Sequence, residues 1–434
     1  MAAPLIVSFW MRAAVTFIDT VYAALLGDAA VAAIGVVVPV EFLMIAVWVG
    51  LSTGLTSGLS RAMGARQGRW YAQYIRVTWR AIAVVATGFT LMGIAIWFVA
   101  PHMGLEPDVA SGLQVYGSVL VIGSAFTTFW SIVPDSQVKA HQDTRSTMWA
   151  GIWTNAINVI LNTIFLFVFH WGLFGIALST VLGRIGGLVY ALVKARELEQ
   201  RREAAEMTPL TDEDPRATWT ILGLAIPSSL TFALMALETA ILNGLLARRG
   251  DATESIAAYS IYYRITLFAL QPVIACAVAL LPYSAKRWSS GDLAGIRRGL
   301  VQTHIATAIY AIVIVAPLSW FSAPWLATKL AESPLTAEYA IFALRTVPLA
   351  CLFGATFLLV RPIFEARGDG RPGLVMATVR YGVLMLPLAW GGMEWAVQRG
   401  HAAIDGMIVG LLIASAIASL TFYAWLHRTL RLEL

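Results

Sequence analysis

Residues 81–100 read AIAVVATGFTLMGIAIWFVA, a run of twenty residues without a charged side chain. About 20 apolar residues in succession is the length that an α-helix needs to cross the hydrocarbon core of a bilayer. Comparable runs recur from one end of the 434-residue chain to the other. The sequence does not contain the alternating segments of about 10 residues that are typical of a membrane β-barrel. It therefore predicts an all-α membrane protein.

The composition excludes several other classes of protein. Hydrophobic residues make up 59% of the chain and charged residues 13%, whereas soluble domains have about 45–50% and about 25%. The longest polar stretch, residues 194–216, is shorter than an independent domain of about 50 residues, which excludes a soluble catalytic domain. The two cysteines and six histidines lack the spacing of a disulfide framework or a metal site. We therefore expect no metal and no cofactor, and we attribute the net charge of +5 to membrane orientation rather than to nucleic-acid binding.

The apolar runs predict twelve transmembrane helices, the first of which is a retained span rather than a signal peptide. We place them at residues 4–26, 33–60, 78–104, 115–138, 147–169, 172–194, 218–246, 255–283, 296–324, 336–364, 373–396 and 404–427.

The positive charges predict how these helices are oriented. Of the 30 Lys and Arg residues, 21 lie in the loops after even-numbered helices or at the C-terminus, and 4 lie in the loops after odd-numbered helices. Cytoplasmic loops carry the excess of Lys and Arg. We therefore expect the protein to lie in the inner or plasma membrane with both termini in the cytoplasm. The remaining five are intramembrane: Arg12, Arg184, Arg264, Arg345 and Arg380.

An internal repeat divides the chain into two halves. Residues 27–28 and 250–251 both read GD at an offset of 223, and Ala140 and Arg145 match Ala366 and Arg371 at an offset of 226. Six helices per copy give the two copies the same orientation, so we expect two pseudo-symmetric six-helix lobes. The predicted organisation is an N-lobe at 1–195, a cytoplasmic linker at 196–217 and a C-lobe at 218–434. Paired bundles of this kind commonly hold substrate between them and open one side at a time.

Four segments resemble the multidrug and toxic compound extrusion (MATE) family. Residues 17–35 read FIDTVYAALLGDAAVAAIG, which is similar to the family's Asp-containing first helix and the turn after it. Residues 137–145, QVKAHQDTR, and residues 155–165, NAINVILNTIF, resemble its loop 4–5 and fifth helix. Residues 225–229, AIPSS, resemble the start of its seventh helix. The resemblance covers essentially the whole chain.

This resemblance implies twelve helices in two lobes and the export of amphiphilic, often cationic, compounds in exchange for H⁺ or Na⁺. It also implies a cation site in the N-lobe, which falls here on Asp19, Asn158, Asn162 and Thr180. The family usually has Asp at position 162. The Asn in this chain removes one carboxylate, which weakens the case for tight Na⁺ binding and leaves Asp19 as the only acid of that cluster.

The residues themselves support a coupling role for Asp19 but leave alternatives open. An ionisable group inside a span is a functional candidate by default. Burial disfavours the charged carboxylate while hydrogen bonds favour it, so a carboxyl group balanced between them can take up and release a proton. The alternative is a permanent ion pair with Arg12 or Arg184. Asn158 and Asn162 lie four residues apart on one helical face, where they line a polar cavity or join helices.

Two further acids lie inside predicted spans. Glu41 and Glu238 are candidates for attracting a cationic substrate or for a second proton site, and the alternative is that either neutralises Arg264. In addition, Gly50, Gly54 and Gly58 recur every four residues, which predicts close helix packing.

The sequence thus favours a secondary active multidrug or organic-cation exporter, an antiporter using H⁺ or Na⁺ and working by alternating access as a monomer. The alternative is a lipid or lipid-linked oligosaccharide flippase of the same superfamily, since the five intramembrane arginines suit a pyrophosphate. An enzyme would need a clustered acid/base or metal constellation, which the sequence lacks, and a two-lobe repeat suits rocking better than a passive channel. The expected partners are a small amphiphilic or cationic substrate and the lipid bilayer.

Overall fold

The computed structural model describes residues 2–205, 213–331 and 333–432, except for the side chains of residues 2, 3, 9, 12–17, 20, 28, 203–205 and 431–432. Nearly all of this part of the chain is helical, so the predicted all-α fold is confirmed. The first eight α-helices are α1 (Ala2–Ala24), α2 (Asp28–Gly64), α3 (Gly68–Val99), α4 (Pro107–Gly112), α5 (Ser118–Trp130), α6 (Ile132–Ala140), α7 (Thr144–Thr163) and α8 (Gly172–Ala205). The remaining nine are α9 (Ala217–Leu246), α10 (Ala252–Ser289), α11 (Leu293–Ile309), α12 (Ala316–Leu330), α13 (Pro334–Arg345), α14 (Val347–Arg367), α15 (Arg371–Ala377), α16 (Leu386–Gln398) and α17 (Ala403–Leu432).

Several of these helices join end to end into single spans. Short π-helical segments at Leu113–Gly117, Tyr310–Val315 and Thr378–Met385 connect α4 to α5, α11 to α12 and α15 to α16. Within the described residues, eleven spans are long and apolar enough to cross a membrane, and α1 precedes them. The chain is therefore a multi-pass membrane protein, and the twelve-helix arrangement agrees with the sequence prediction.

The chain forms two compact units, Met1–Ser229 and Leu230–Leu434. Helix α9 belongs to both, because it runs through the boundary two residues after Pro227. Residues 206–212 of the predicted linker lie outside the described residues, and the limits of the two lobes stay a prediction. Each unit has its own apolar core. The first is centred on Leu55, Leu59, Ile82, Phe129 and Ile132, and the second on Phe357, Leu359, Val360, Met407 and Phe422.

Two buried ion pairs occupy matching positions of the internal repeat. In the first unit, Lys139 Nζ lies 2.5 Å from Asp135 Oδ2. In the second, Arg361 Nε lies 2.6 Å from Glu365 Oε1. Positions 135 and 139 correspond to 361 and 365 at the offset of 226 found in the sequence, but the acid and the base have exchanged places. Both pairs span one helical turn, the spacing at which opposite charges meet.

The glycine ridge of α2 packs against the first half of α9. A Cβ atom at Gly54 would lie 2.6 Å from the carbonyl oxygen of Ile221, and one at Gly58 would lie 3.1 Å from the Ile221 side chain. Only residues without a side chain allow helices to approach so closely. The close packing predicted from the spacing of these glycines is confirmed.

A polar clamp holds the segment before α9 on helix α3. The side-chain amide of Gln73 donates to the backbone carbonyl of Asp214 (3.0 Å) and accepts from its backbone N–H (2.9 Å). The Asp214 carboxylate accepts from the Tyr74 hydroxyl (2.9 Å) and the Thr220 hydroxyl (3.0 Å). Since Tyr74 is buried, these bonds fix the start of α9 within the first unit.

We expect Asp214→Ala to destabilise the protein, because the mutation leaves the buried Tyr74 hydroxyl without its acceptor. An unsatisfied buried polar group costs about 1–3 kcal/mol, so the melting temperature of the detergent-solubilised protein should fall by several degrees. Glu213→Ala is the matched control. It removes only the exposed ion pair with Arg76 (3.0 Å), which is worth about 1 kcal/mol or less. Equal melting temperatures for the two variants would contradict the clamp.

Candidate functional site

The candidate site is a buried polar cluster that α1, α7 and α8 build inside the first unit. Asp19 on α1 is 6% exposed, and Asn158 and Asn162 on α7 are fully buried. Thr180 on α8 is 3% exposed. The structure brings together all four residues that the resemblance named for the N-lobe. A fifth side chain, Ser179, joins them and is also fully buried.

Asp19 is surrounded by neutral hydrogen-bond donors. Its Oδ1 accepts from Asn162 Nδ2 at 2.7 Å and from Asn158 Nδ2 at 3.3 Å. Its Oδ2 accepts from the Thr180 hydroxyl at 2.8 Å. Hydrogen bonds of this kind stabilise the ionised carboxylate, whereas burial opposes it. The two effects act against each other on one group, which is the balance expected of a site that takes up and releases a proton.

The orientation of Asn162 depends on Ser179. The Ser179 hydroxyl donates to Asn162 Oδ1 at 2.5 Å, which turns the amide N–H of Asn162 toward Asp19. The same hydroxyl also lies 2.8 Å from the Ile176 carbonyl oxygen. A hydroxyl has one hydrogen to donate, so Ser179 has two alternative acceptors. Ser179 therefore allows the Asn162 amide to turn over, at the loss of the bond from Asn162 Nδ2 to Asn158 Oδ1 (3.3 Å).

The described hydrogen bond and ion pair of Arg184 are made with residues other than Asp19. Its guanidinium donates to the Ser124 hydroxyl and lies 3.6 Å from Glu41 Oε1. Within the described part of the first unit, the ion pair that Arg184 forms is therefore with Glu41, although its positive charge also acts on Asp19. The side chain of Arg12, the other alternative partner, lies outside the described residues.

Glu238 lies on the second half of α9 and is 8% exposed. Arg264 is exposed, and no ion pair joins it to Glu238 in the described residues, so the alternative that Glu238 neutralises Arg264 is wrong. The positive charge that acts on Glu238 is that of Arg380. Several aromatic hydroxyls also interact electrostatically with this carboxyl group. They are those of Tyr259, Tyr262, Tyr263 and Tyr381.

Three of the five intramembrane arginines make contacts within a single unit. Arg184 binds Ser124 and Glu41, and the Arg345 guanidinium lies 4.8 Å from the ring centre of Trp320. Arg380 donates to Ser415 at 3.3 Å and lies 4.7 Å from the ring centre of Phe357.

Sequence reasoning missed Ser179 and the pairing of Arg184 with Glu41. Two consecutive hydroxyl residues in an apolar helix, Ser179 and Thr180, were the available signal for the first. No group of three or more His, Cys, Asp or Glu side chains placed to hold a metal ion occurs in the described ranges.

Comparison with known proteins identifies relatives over most of the chain. It is similar to a protein named FAD transporter from Shewanella oneidensis, with 24% identity over 418 residues covering 93% of this chain and 86% of the relative. It is also similar to the multidrug export protein MepA of Staphylococcus aureus, with 21% identity over 395 residues covering 90% of this chain and 84% of the relative.

Solved structures share the fold. One, an outward-facing conformation of a multidrug resistance MATE family transporter of the MOP superfamily, has a TM-score of 0.88 and 22% identity over 100% of this chain and 95% of that one. A MOP superfamily transporter from Pyrococcus furiosus has a TM-score of 0.85 and 21% identity with the same coverage. The sequence model of the MatE family matches residues 4–164 and 227–390, one segment in each half of the internal repeat. The chain therefore belongs to the MatE family, whose members are transporters and not enzymes.

Proposed function

We propose that this protein is a proton-coupled exporter of small amphiphilic cations, and that Asp19 is the group that carries the coupling proton. The observation that supports the proposal is a buried carboxyl group whose described hydrogen-bond donors are all neutral, while Arg184, whose charge also acts on it, pairs with Glu41. A permanent ion pair would keep such a group charged in every state, whereas amide and hydroxyl donors allow it to become neutral. The relatives named as multidrug exporters support a small-molecule substrate.

Protonation of Asp19 would change which hydrogen-bond donors and acceptors the cluster has to supply. The carboxylate accepts three hydrogen bonds, but the neutral acid has a hydrogen of its own to donate. Rotation of the Asn162 amide supplies the acceptor, because its oxygen then faces Asp19 and its N–H faces Ser179. The Ser179 hydroxyl can donate to the Ile176 carbonyl in that arrangement. The neutral form thus gains an acceptor without moving the backbone, while Asn158 Oδ1 loses the donor that Asn162 Nδ2 supplies to it at 3.3 Å.

Asn162 also favours H⁺ over Na⁺ as the coupling ion. A hard cation binds oxygen ligands, yet in the orientation that the structure shows, which Ser179 favours, the group at 2.7 Å from Asp19 Oδ1 is an amide nitrogen carrying hydrogens. With a single carboxylate present, the cluster suits one proton better than a metal cation. No cofactor is needed for this chemistry.

We propose that a cationic substrate binds to the second unit at Glu238 and the tyrosines that interact with it. A carboxylate attracts a cation, and aromatic faces add to that attraction. A lipid or lipid-linked oligosaccharide flippase remains the second candidate. Three of the four described intramembrane arginines argue against it, since Arg184, Arg345 and Arg380 are engaged within their own units, whereas Arg264 is exposed. We further propose a monomer in the inner membrane with both termini in the cytoplasm, as the distribution of Lys and Arg favours.

Transport by purified protein in liposomes tests the proposal. We expect a pH gradient to drive accumulation of a fluorescent organic cation, and a protonophore to abolish it. A Na⁺ gradient of equal size at uniform pH should drive none. Accumulation that follows the Na⁺ gradient would show that the coupling ion is Na⁺ and that the proposal for Asp19 is wrong. Translocation of a fluorescent phospholipid, without any movement of the organic cation, would favour the flippase instead.

A further inference from the structure

A cavity lies within the Leu230–Leu434 unit, between helices α11 and α14. It has a volume of about 270 Å³. The lining comes from helix α11 (His304, Ile305, Thr307 and Ala308) and from helix α14 (Leu352, Ala355 and Thr356). The lining is mostly apolar, and its polar residues are His304, Thr307 and Thr356. The Glu238 carboxyl group and the tyrosines around it do not line this cavity.

The hydrogen bonds of His304 define its tautomer. Its Nδ1 lies 3.0 Å from the carbonyl oxygen of Leu300 on the same helix. Because a carbonyl oxygen only accepts, Nδ1 carries the hydrogen, and in the neutral ring Nε2 is then left with a lone pair. That atom is buried and has no hydrogen-bond partner among the described residues. Native proteins rarely leave a buried acceptor unsatisfied, so the geometry points to a donor that comes from outside the protein.

The surroundings limit what that donor can be. The Tyr423 ring meets the His304 ring edge to face at 5.7 Å and covers the imidazole on another side. None of the side chains that line the cavity is acidic, so protonation of His304 would leave an uncompensated charge there. A hydroxyl group attached to an apolar chain satisfies Nε2 and fills the remaining space.

The approach to the cavity is apolar as well. On α11, Val301, Ile305 and Ile309 are 41%, 54% and 56% exposed. Exposed side chains of this kind inside a membrane span suit contact with acyl chains. His304 lies six residues after Arg298, about 9 Å along the helix, and so sits close to the level where the hydroxyl group of a membrane-dissolved alcohol would lie.

We propose that this cavity binds the hydroxyl end of a long-chain alcohol or hydroxyl-bearing lipid from the bilayer, with His304 Nε2 as the acceptor. The site is independent of the Asp19 cluster, and its occupation does not require transport. Its contribution is to anchor an amphiphile in the second unit.

Nitrogen NMR of the histidines tests this inference. The full chain, labelled with ¹⁵N-histidine, is prepared in micelles of lauryldimethylamine N-oxide, a detergent without hydroxyl groups, and the His304 signal is identified by its loss in His304→Gln. We expect 1-decanol to shift the Nε2 resonance of His304 in a saturable way, toward the position of a hydrogen-bonded acceptor. Decane, which has the same length but no hydroxyl group, should leave that resonance unchanged.

Ala355→Leu is the control that fills the cavity without removing the imidazole. This variant should elute as wild type in gel filtration and lose the response to 1-decanol. An equal response to 1-decanol and decane, or no response to either, would overturn the inference. So would an Nε2 resonance that already has the hydrogen-bonded value before any alcohol is added, since water would then be the partner.

Discussion

Asp19→Asn is expected to abolish uphill transport while leaving the protein folded. For one proton exchanged per substrate, a gradient of two pH units stores about 2.7 kcal/mol, which supports about 100-fold accumulation. An amide cannot take up and release that proton, so the accumulation ratio in liposomes should fall to about unity. The fold should survive because Asn has nearly the same shape as Asp, and a rotated Asn162 amide supplies the acceptor that the new N–H needs.

Two controls separate loss of coupling from loss of the protein. Asp108→Asn makes the same chemical change at an exposed position and should keep wild-type accumulation. Exchange of labelled for unlabelled substrate, measured without any gradient, should persist in Asp19→Asn, because it requires alternating access but no net movement of protons. Wild-type accumulation by Asp19→Asn would remove Asp19 from the coupling mechanism.

The fold was largely predictable because the bilayer restricts what a chain can do. Every backbone polar group in a span must be satisfied internally, so an apolar run of the right length can only be a helix. The repeat could be found for a related reason. Equivalent positions in both copies are constrained by the same turns, as Gln142 and Gly368 illustrate: they are related by the offset of 226, and both have a positive backbone φ angle, 62° and 92°.

The site was predictable only in part. Spacing places Asn158 and Asn162 on one face of α7, and an acid inside an apolar helix stands out in any sequence, so those positions could be identified. The partner of a side chain on a different helix follows from helix packing, which the sequence does not give. Arg184 is an example, because its pairing with Glu41 joins residues far apart in the chain. The role of Ser179 depends in the same way on how α8 packs against α7.

Arg264, the exposed arginine on α10, is a second case in which the sequence does not reveal the partner of a charged side chain. Arg264 and Glu238 are opposite charges on consecutive long helices, and an ion pair between them was a reasonable alternative from sequence alone. In the structure, Arg264 is exposed, and the positive charge that acts on Glu238 is that of Arg380. Which face of α10 points toward α9 decided the outcome, and a helix with apolar residues on most faces does not reveal it.

Asn162→Asp is expected to give the protein a Na⁺ response that the wild type lacks. The new carboxylate would stand about where the amide nitrogen lies, 2.7 Å from Asp19 Oδ1. Two carboxylates at that distance cannot both be ionised without a proton or a cation between them. With Asn158 Oδ1 and Thr180 Oγ1 nearby, the variant offers four oxygen ligands, which is the ligand chemistry that a hard cation prefers.

Thermal unfolding in detergent measures this gain. A cation at 100 times its dissociation constant stabilises the folded state by about 2.7 kcal/mol, so the melting temperature of Asn162→Asp should rise with NaCl and stay constant with N-methylglucamine chloride. Asn155→Asp is the matched control. It introduces the same charge on α7, at a residue whose amide bonds its own helix at Gly151 (2.7 Å) rather than Asp19. If wild type responds to Na⁺ as strongly as Asn162→Asp does, the amide at position 162 does not exclude the cation, and the argument for H⁺ from this residue is wrong.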